Sequence, residues 1–570
     1  MLANLKIPGV YVEEIRNLPP SVAAVPTAIP AFIGYTDVFA GDDPVRIQSQ
    51  KEYEAIFGFG PRPAVTNLTI DAAGRYQSAD VSVAYSLYDA IRLFYANGGG
   101  ECYVVSLGTY DGGGAIDPAA FNGAGNALDR LAELDEPTLL LFPDAARLTA
   151  TQLGGIQQSA LAQCGELMDR FTICDCRQDD PQGTQFRTNV GINHIKYGAA
   201  YTPWLSVRLD RAISYPLIRG TDVTTPDGVS APAGLNTLAV HDNNAETTAL
   251  LDRYDLLADI DDTFYAYRTA AFDSAPDPTA LTTAIGDLRT ATDADTGGTP
   301  TSVATAQANL EAGITAYDGL TSAATPNETA IRNEQSRLRA TYADYRSALE
   351  ATYQLETNLR NLSPVYRSIA EGINDQPQAV PPSGAVAGVY ARVDRQRGVW
   401  KAPANEGLNA VLTPTVRFTR AELENLNVDA TSGKSINAIR VFTGKGTLIF
   451  GARTLAGNDT ENRYVNVRRL LIFLEESIKK AVENFVFEPN DANTWLRVRG
   501  MIENFLALQW RAGALQGARA EDAFRVAIGL GKTMTADDVT SGRMIVTVSL
   551  APVRPAEFII LRFSQQQAQS

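Results

Sequence analysis

The chain has 570 residues, of which 45% are hydrophobic and 20% charged, and its formal net charge is −16. That length suggests about four domains or subdomains, and the acidic balance argues against phosphate-backbone binding as the main task. Four cysteines, Cys102, Cys164, Cys174 and Cys176, are too few for a disulfide framework and fit synthesis in a reducing compartment such as bacterial cytoplasm; no run of 18 apolar residues offers a membrane span, and Met1 to Pro8 lacks the order of a secretory signal.

In chain order, residues 1–25 read as an extended arm. Pro8, Pro19 and Pro20 forbid a helix, while Val10, Tyr11, Val12 and Ile15 are too apolar to be left in water. They predict a strand that pairs with something. Residues 26–110 follow, with a helix expected over 81–97, capped at Asn97-Gly-Gly-Gly100, and a strand over Cys102–Leu107. Residues 111–244 read as a small layered α/β module: buried strands at Thr138–Phe142 and Phe171–Cys174, a helix over 147–168 between them, and a further strand over Tyr197–Val207.

Residues 245–372 change character. Leu250, Tyr254, Leu257, Ile260, Phe264 and Tyr267 recur at helical spacing. Thr299-Pro300 and Thr325-Pro-Asn-Glu328 look like helix starts, the second with threonine as cap. Residues 241–376 hold 21 acidic and 9 basic side chains, a net of −12, and no lysine occurs between Lys196 and Lys401. The stretch reads as an acidic helical bundle inserted into an α/β frame, with Asp261-Asp262 on a solvated face. Residues 373–543 contain the most patterned segment. Val467, Leu470, Leu471, Leu474, Ile478, Ala481, Val482 and Phe485 form one apolar stripe over 467–486, and a second helix carries Trp495, Val498, Ile502, Phe505 and Leu506. Strands are expected at Phe524–Ile528, Met544–Leu550 and Glu557–Phe563, the last two in a C-terminal arm over 544–570.

No motif supports catalysis, a cofactor or a metal. Gly433-Lys434-Ser435 and Gly531-Lys532-Thr533 lack the earlier glycine of a phosphate loop, since Val428 and Val526 occupy that position. His194 and His241 are the only histidines, Cys174-Asp-Cys176 has no second pair at zinc-site spacing, and no Gly-x-Ser-x-Gly elbow exists.

The remaining motifs resemble the contractile tail sheath family of phage tails, R-type pyocins and extracellular contractile injection systems. They are Pro8-Gly-Val-Tyr-Val-Glu-Glu14 with Thr27-Ala-Ile-Pro-Ala-Phe-Ile-Gly34, Asn97–Val105, Ala200-Tyr-Thr-Pro-Trp-Leu205, Gly388–Asp394 and Gly398–Glu406. The C-terminal part adds Gly451-Ala-Arg-Thr454, Val467-Arg-Arg469, Phe487-Glu-Pro-Asn490, Gly513-Ala-Leu-Gln-Gly517 and Ala551–Phe558. The likeness covers most of residues 7–240 and 377–564; the 245–372 stretch departs from it.

The resemblance implies a mixed α/β (α+β) multidomain sheath core, a non-enzymatic homo-oligomer that polymerises as stacked six-subunit rings around an inner tube and contracts to drive it. N- and C-terminal arms would add strands to sheets of neighbouring subunits, covering open edges and linking an open helical array. On that reading Val10, Tyr11, Val12, Ile15, Val546, Val548, Phe558 and Ile560 are inter-subunit arm residues, and the 245–372 bundle faces outward. Between Arg440 and Arg519 twelve basic and eight acidic residues give +4, so Arg468, Arg469, Lys479 and Lys480 are expected to face the tube. Implied partners are the inner tube protein, baseplate and terminal cap proteins, with neither direct nucleic-acid contact nor membrane insertion. The particle would assemble in the bacterial cytoplasm as a phage tail or phage-tail-like assembly, released by lysis. Two alternatives stay open: the large sheath subunit of a type VI secretion apparatus, where the arms are divided between two proteins, and a non-contractile filament or shell protein.

Overall fold

The computed structural model describes residues 22–41, 43–110, 115–211, 213–219, 221, 223–224, 230–231, 245–269, 278–296, 300–323, 327–558 and 560. They fall into two compact units. The larger comprises Ala28–Gln396 and Pro403–Val465; the other comprises Met1–Thr27, Arg397–Ala402 and Asn466–Ser570.

The larger unit is built on β1 (Pro30–Thr36), every residue of which is buried. After β2 (Val45–Ile47) comes helix α1 (Gln50–Phe57), capped by Ser49 on the Glu52 N–H. A hairpin of β3 (Ala64–Ile70) and β4 (Tyr76–Ser82) precedes helix α2 (Leu87–Ala96) and β5 (Cys102–Thr109). Helix α2 starts six residues later than the sequence predicts, because 76–82 are taken by the hairpin ladder, which pairs Ala64 with Ser82. Then come β6 (Leu139–Leu141), helix α3 (Ala150–Leu167) with a Thr149/Gln152 capping box, β7 (Phe171–Asp175) and β8 (Gly198–Thr202).

Strands β5, β1, β6, β7 and β8 lie side by side in that order, all parallel. Chain order in this block is therefore second, first, third, fourth, fifth, a doubly wound arrangement. Parallel strands carry cover on both faces, which is why every residue of β6 and β7 is buried, without alternation. The predicted strand over Tyr197–Val207 divides: β8 belongs to this sheet, while β9 (Leu205–Val207) is the middle of a separate three-stranded one.

Among the described residues the acidic stretch holds six helices: α4 (Ala245–Thr269), α5 (Thr279–Thr296), α6 (Thr301–Thr321), α7 (Glu328–Tyr353), α8 (Leu355–Leu362) and α9 (Pro364–Asn374). Their core is not their own. Val65, Leu68, Ile70 and Ala79 of the β3–β4 hairpin, with Ile213, Tyr215 and Ile218, join Tyr254, Phe264, Tyr317, Leu338 and Tyr366 in one buried cluster. Glu356 ties it together, accepting hydrogen bonds from the Tyr254 hydroxyl at 2.9 Å, the Tyr366 hydroxyl at 2.7 Å and the Arg360 guanidinium at 2.7 Å.

Two expectations here are corrected. Asp261 is not on a solvated face: it is 2% exposed, accepts the Tyr342 hydroxyl proton and pairs with Arg346 at 3.3 Å. Burial pushes its carboxyl up, while Arg346 and Tyr342 hold it down; a buried carboxylate needs such partners. Helix α7 is capped by Asn327, whose side chain accepts the Ala330 N–H at 3.1 Å; the expected cap Thr325 lies outside the described residues, as does Thr299 of the other expected helix start.

The larger unit continues with helix α10 (Ser383–Arg397), β15 (Ile436–Phe442) and β16 (Gly446–Phe450), numbered in chain order after the short strands β10 (Val223–Thr224), β11 (Ser230–Ala231), β12 (Gln378–Val380), β13 (Glu406–Gly407) and β14 (Thr413–Pro414). Strand β15 runs parallel to β8 and extends the large sheet; β16 and β13 finish that edge antiparallel.

Candidate assembly site

In a doubly wound sheet a ligand would enter at the carboxyl ends of the strands where their order reverses, here between β1 and β6. That place is filled. Asp144, three residues beyond β6 and fully buried, accepts N–H groups from Tyr35 at 2.7 Å, from Leu87 at 2.9 Å and from Ser86. Ser86 and Leu87 open helix α2, so an internal carboxylate occupies the position an anionic ligand would take. Burial pushes Asp144 up to about 6, against the pull of the three N–H donors. A Cβ at Gly34 would collide with this carboxylate.

The lysines of the two pseudo-phosphate loops are also accounted for. Lys434 is buried with its ammonium on the Arg187 carbonyl, and the Ser435 hydroxyl donates to the Asn427 carbonyl at 2.6 Å. Lys532 is in the turn after the strand Phe524–Ile528, where Thr533 donates to the Ile545 carbonyl at 2.7 Å. His194 precedes the one-turn helix Ile195–Tyr197 with φ at 53°; His241 lies outside the described residues. All four cysteines are buried free thiols, and burial raises each of them above its ordinary range. Among the described residues no group of three metal-binding side chains comes together, and no helix is long and apolar enough to cross a membrane.

The second unit has a different character. Helix α11 (Val465–Val482) and helix α12 (Ala492–Arg511) pack through Leu470, Phe473, Leu474, Val498, Ile502, Phe505 and Leu506. Asp491 caps α12 by accepting the Thr494 N–H at 2.9 Å. Against these helices lies a sheet of only two strands, β17 (Phe524–Ile528) and β18 (Val546–Leu550), antiparallel with Val526 opposite Val548. Period-two alternation sets its faces. Phe524, Val526, Ile528, Val546, Val548 and Leu550 turn to the helices, while Arg525, Thr547 and Ser549 are exposed.

Among the described residues no third strand pairs with either side of this hairpin. A two-stranded ribbon is marginal by itself, and an open edge is a template for another strand. Along β17 runs a groove of about 950 Å³, whose far wall is Arg499, Glu503, Asn504 and Ala507 of α12, with Lys532 at one end.

The expected site residues distribute as follows. Val10, Tyr11, Val12 and Ile15 lie outside the described residues. Val546 and Val548 are in β18, facing their own unit's core. Phe558 and Ile560 are 72% and 79% exposed; the described residues 551–558 and 560 contain no strand where Glu557–Phe563 predicts one. Arg468 and Arg469, expected to face the tube, are buried. Arg468 pairs with Glu475 at 2.8 Å, and Arg469 donates to the Thr27 carbonyl at 2.8 Å. The cause is that residues 22–27 lie on this side of α11: Val22 and Val25 pack against the cluster, and the Val25 N–H reaches Ser477 Oγ at 3.2 Å. Lys479 is exposed and paired with Glu476 at 2.9 Å, and Lys480 is half-buried. Of the groove residues, Arg499 and Arg525 carry no motif and Lys532 stands in the sequence only as part of a failed phosphate loop, so sequence reasoning did not bring the three together.

Residues 458–566 match the phage tail sheath C-terminal domain. The chain is 29% identical over 141 residues to the tail sheath protein of Vibrio phage KVP40, covering 25% of this chain and 21% of that one. It is 26% identical over 204 residues to the tail sheath protein of Salmonella phage ViI, covering 34% and 29%. The matches thus span less than a third of those curated relatives. By structure, a chain of the anti-feeding prophage baseplate aligns at TM-score 0.53 and 26% identity, covering 99% of this chain and all of that one. A chain of the anti-feeding prophage helical sheath in the contracted state aligns at TM-score 0.54 and 25% identity, with the same coverage. The two-stranded sheet and its supporting helices fall inside the matched domain, and the chain is similar to tail sheath proteins in sequence and to contractile sheath chains in structure.

Proposed function

We propose that the chain is the repeating subunit of a contractile sheath, stacked in six-subunit rings around an inner tube and engaged at its ends by baseplate and terminal cap proteins. The observation that carries this reading is the hairpin β17–β18 with a strand-sized groove along β17. A strand from the N-terminal arm of one neighbour and one from the C-terminal arm of another would complete it, so that the sheet becomes four-stranded only in the assembly. The Glu13-Glu14 pair of an incoming arm suits Arg499, Arg525 and Lys532 of the groove.

The stroke then needs no nucleotide. If contraction buries about 40 Å² more apolar surface per subunit, each contributes roughly 1 kcal/mol, and hundreds act together. The bundle 245–372 faces outward, and Lys479 and Lys480 face the tube, through exposed contacts worth about 0–1 kcal/mol each. The particle is a phage tail or tail-like assembly built in the cytoplasm and released by lysis.

Deleting residues 1–20 tests the reading. The expected product is a folded, soluble monomer that forms no long tubes in negative-stain micrographs. Normal sheaths from that deletion would refute it.

A further inference from the structure

Between the helical module and the α/β core, within the larger unit, lies an open cleft of about 1020 Å³. Its walls are mainly apolar and aromatic, with Tyr254, Phe264 and Tyr342 among them. Four guanidinium groups reach it. Three are matched: Arg339 pairs with Asp37, Arg346 with Asp261 at 3.3 Å and Arg360 with Glu356 at 2.7 Å. The fourth, Arg62, forms no ion pair among the described residues; it lies over the Tyr265 ring at 5.7 Å, and its charge helps to hold the buried Asp261 carboxyl down.

Arg62 belongs to the segment Phe59-Gly-Pro-Arg-Pro63, in which two prolines fix the backbone. The Phe59 N–H donates to Asp37 at 3.1 Å, which anchors the segment's start. Phe59 is nevertheless 63% exposed, and Arg62 is exposed too. A rigid display of one phenyl ring and one exposed cation beside an aromatic-walled cleft has the composition of a protein-binding hot spot, where aromatic residues and arginine dominate. Pre-organisation lowers the entropy a partner must lose.

We propose that this cleft receives a peptide segment of a partner protein in which a carboxylate side chain lies within two residues of an aromatic or large aliphatic one. The apolar side chain covers Phe59 and enters the cleft; the carboxylate pairs with Arg62. A run of negative charge is disfavoured, because Asp37, Asp261, Glu350 and Glu356 line the same space. A small aromatic acid satisfies Arg62 but leaves Phe59 uncovered.

The test is selection of a random heptapeptide phage library on the purified chain, followed by fluorescence polarisation with a fluorescein-labelled consensus peptide. The expected consensus pairs Asp or Glu with Phe, Tyr or Leu. Its affinity should fall about tenfold or more in Phe59→Ser and in Arg62→Ser, two surface variants, and stay unchanged in Lys532→Ser at the β17 groove. A consensus without an acidic residue, wild-type affinity in either cleft variant, or loss in Lys532→Ser instead overturns the proposal. Displacement of the peptide by phenylacetate at equal concentration also overturns it, in favour of a small-molecule site.

Discussion

Replacing Asp144 by asparagine should make the stability of the larger unit respond less to pH. The buried carboxyl is raised from an ordinary 3.8 to about 6. A group raised in this way contributes stability fully below its unfolded value and loses it as pH rises through its folded one. At 1.36 kcal/mol per unit the loss is about 3 kcal/mol above pH 7, of which about 2 kcal/mol falls between roughly pH 4.5 and pH 7.5. Asparagine removes that slope but offers one acceptor where the carboxylate offers two. With Oδ1 kept for Ser86 and Leu87, its amide faces the Tyr35 N–H, which costs about 1–3 kcal/mol at every pH. The stability difference between variant and wild type should therefore shift by about 2 kcal/mol in the variant's favour between roughly pH 4.5 and pH 7.5. Urea unfolding followed by tryptophan fluorescence reads this, since Trp204 stacks on Arg147 at 5.4 Å, and Arg147 donates to Ser86 Oγ beside Asp144. A constant difference between the two proteins across that range would refute the reasoning.

Phe505→Ala empties a buried site against Phe473 and should cost about 3–5 kcal/mol, seen as a lower urea midpoint for the second unit and loss of tube formation. Glu356→Gln takes the charged partner from Arg360 and two tyrosine hydroxyls, and calorimetry should show the helical module destabilised by about 1–3 kcal/mol. Lys479→Glu with Lys480→Glu should leave empty contracted sheaths able to form while extended, tube-filled particles become rarer in micrographs; unchanged particle counts would move the tube contact to Arg497 and Arg499.

Much of the architecture is legible in the sequence where one physical rule acts alone. Phe524–Ile528 alternates and is a strand; Leu139–Leu141 is an uninterrupted apolar run, Phe171–Cys174 is nearly one, and both lie inside a parallel sheet. The β3–β4 hairpin escaped because Asn67, at φ 52°, breaks the alternation and shifts the register between Thr66 and Thr69. Asp261 looked solvated because its partners Tyr342 and Arg346 are about eighty residues away in the chain. Arg468 and Arg469 looked exposed because the helical wheel of α11 knows nothing of residues 22–27 lying on it. The open hairpin is a property of what is missing from a sheet, and a linear pattern records only what is present.

The shared core of the helices and the β3–β4 hairpin bears on how such a module could be exchanged between relatives. A recombination event at the two ends of the acidic stretch would carry away Tyr254, Phe264 and Leu338 but leave Val65, Leu68, Ile70 and Ala79 behind, facing water. The chain that results would be prone to stick to its copies before it could polymerise in order. The inheritable unit is therefore discontinuous, 64–82 together with 213–374, and a graft that respects it must be cut in four places rather than two.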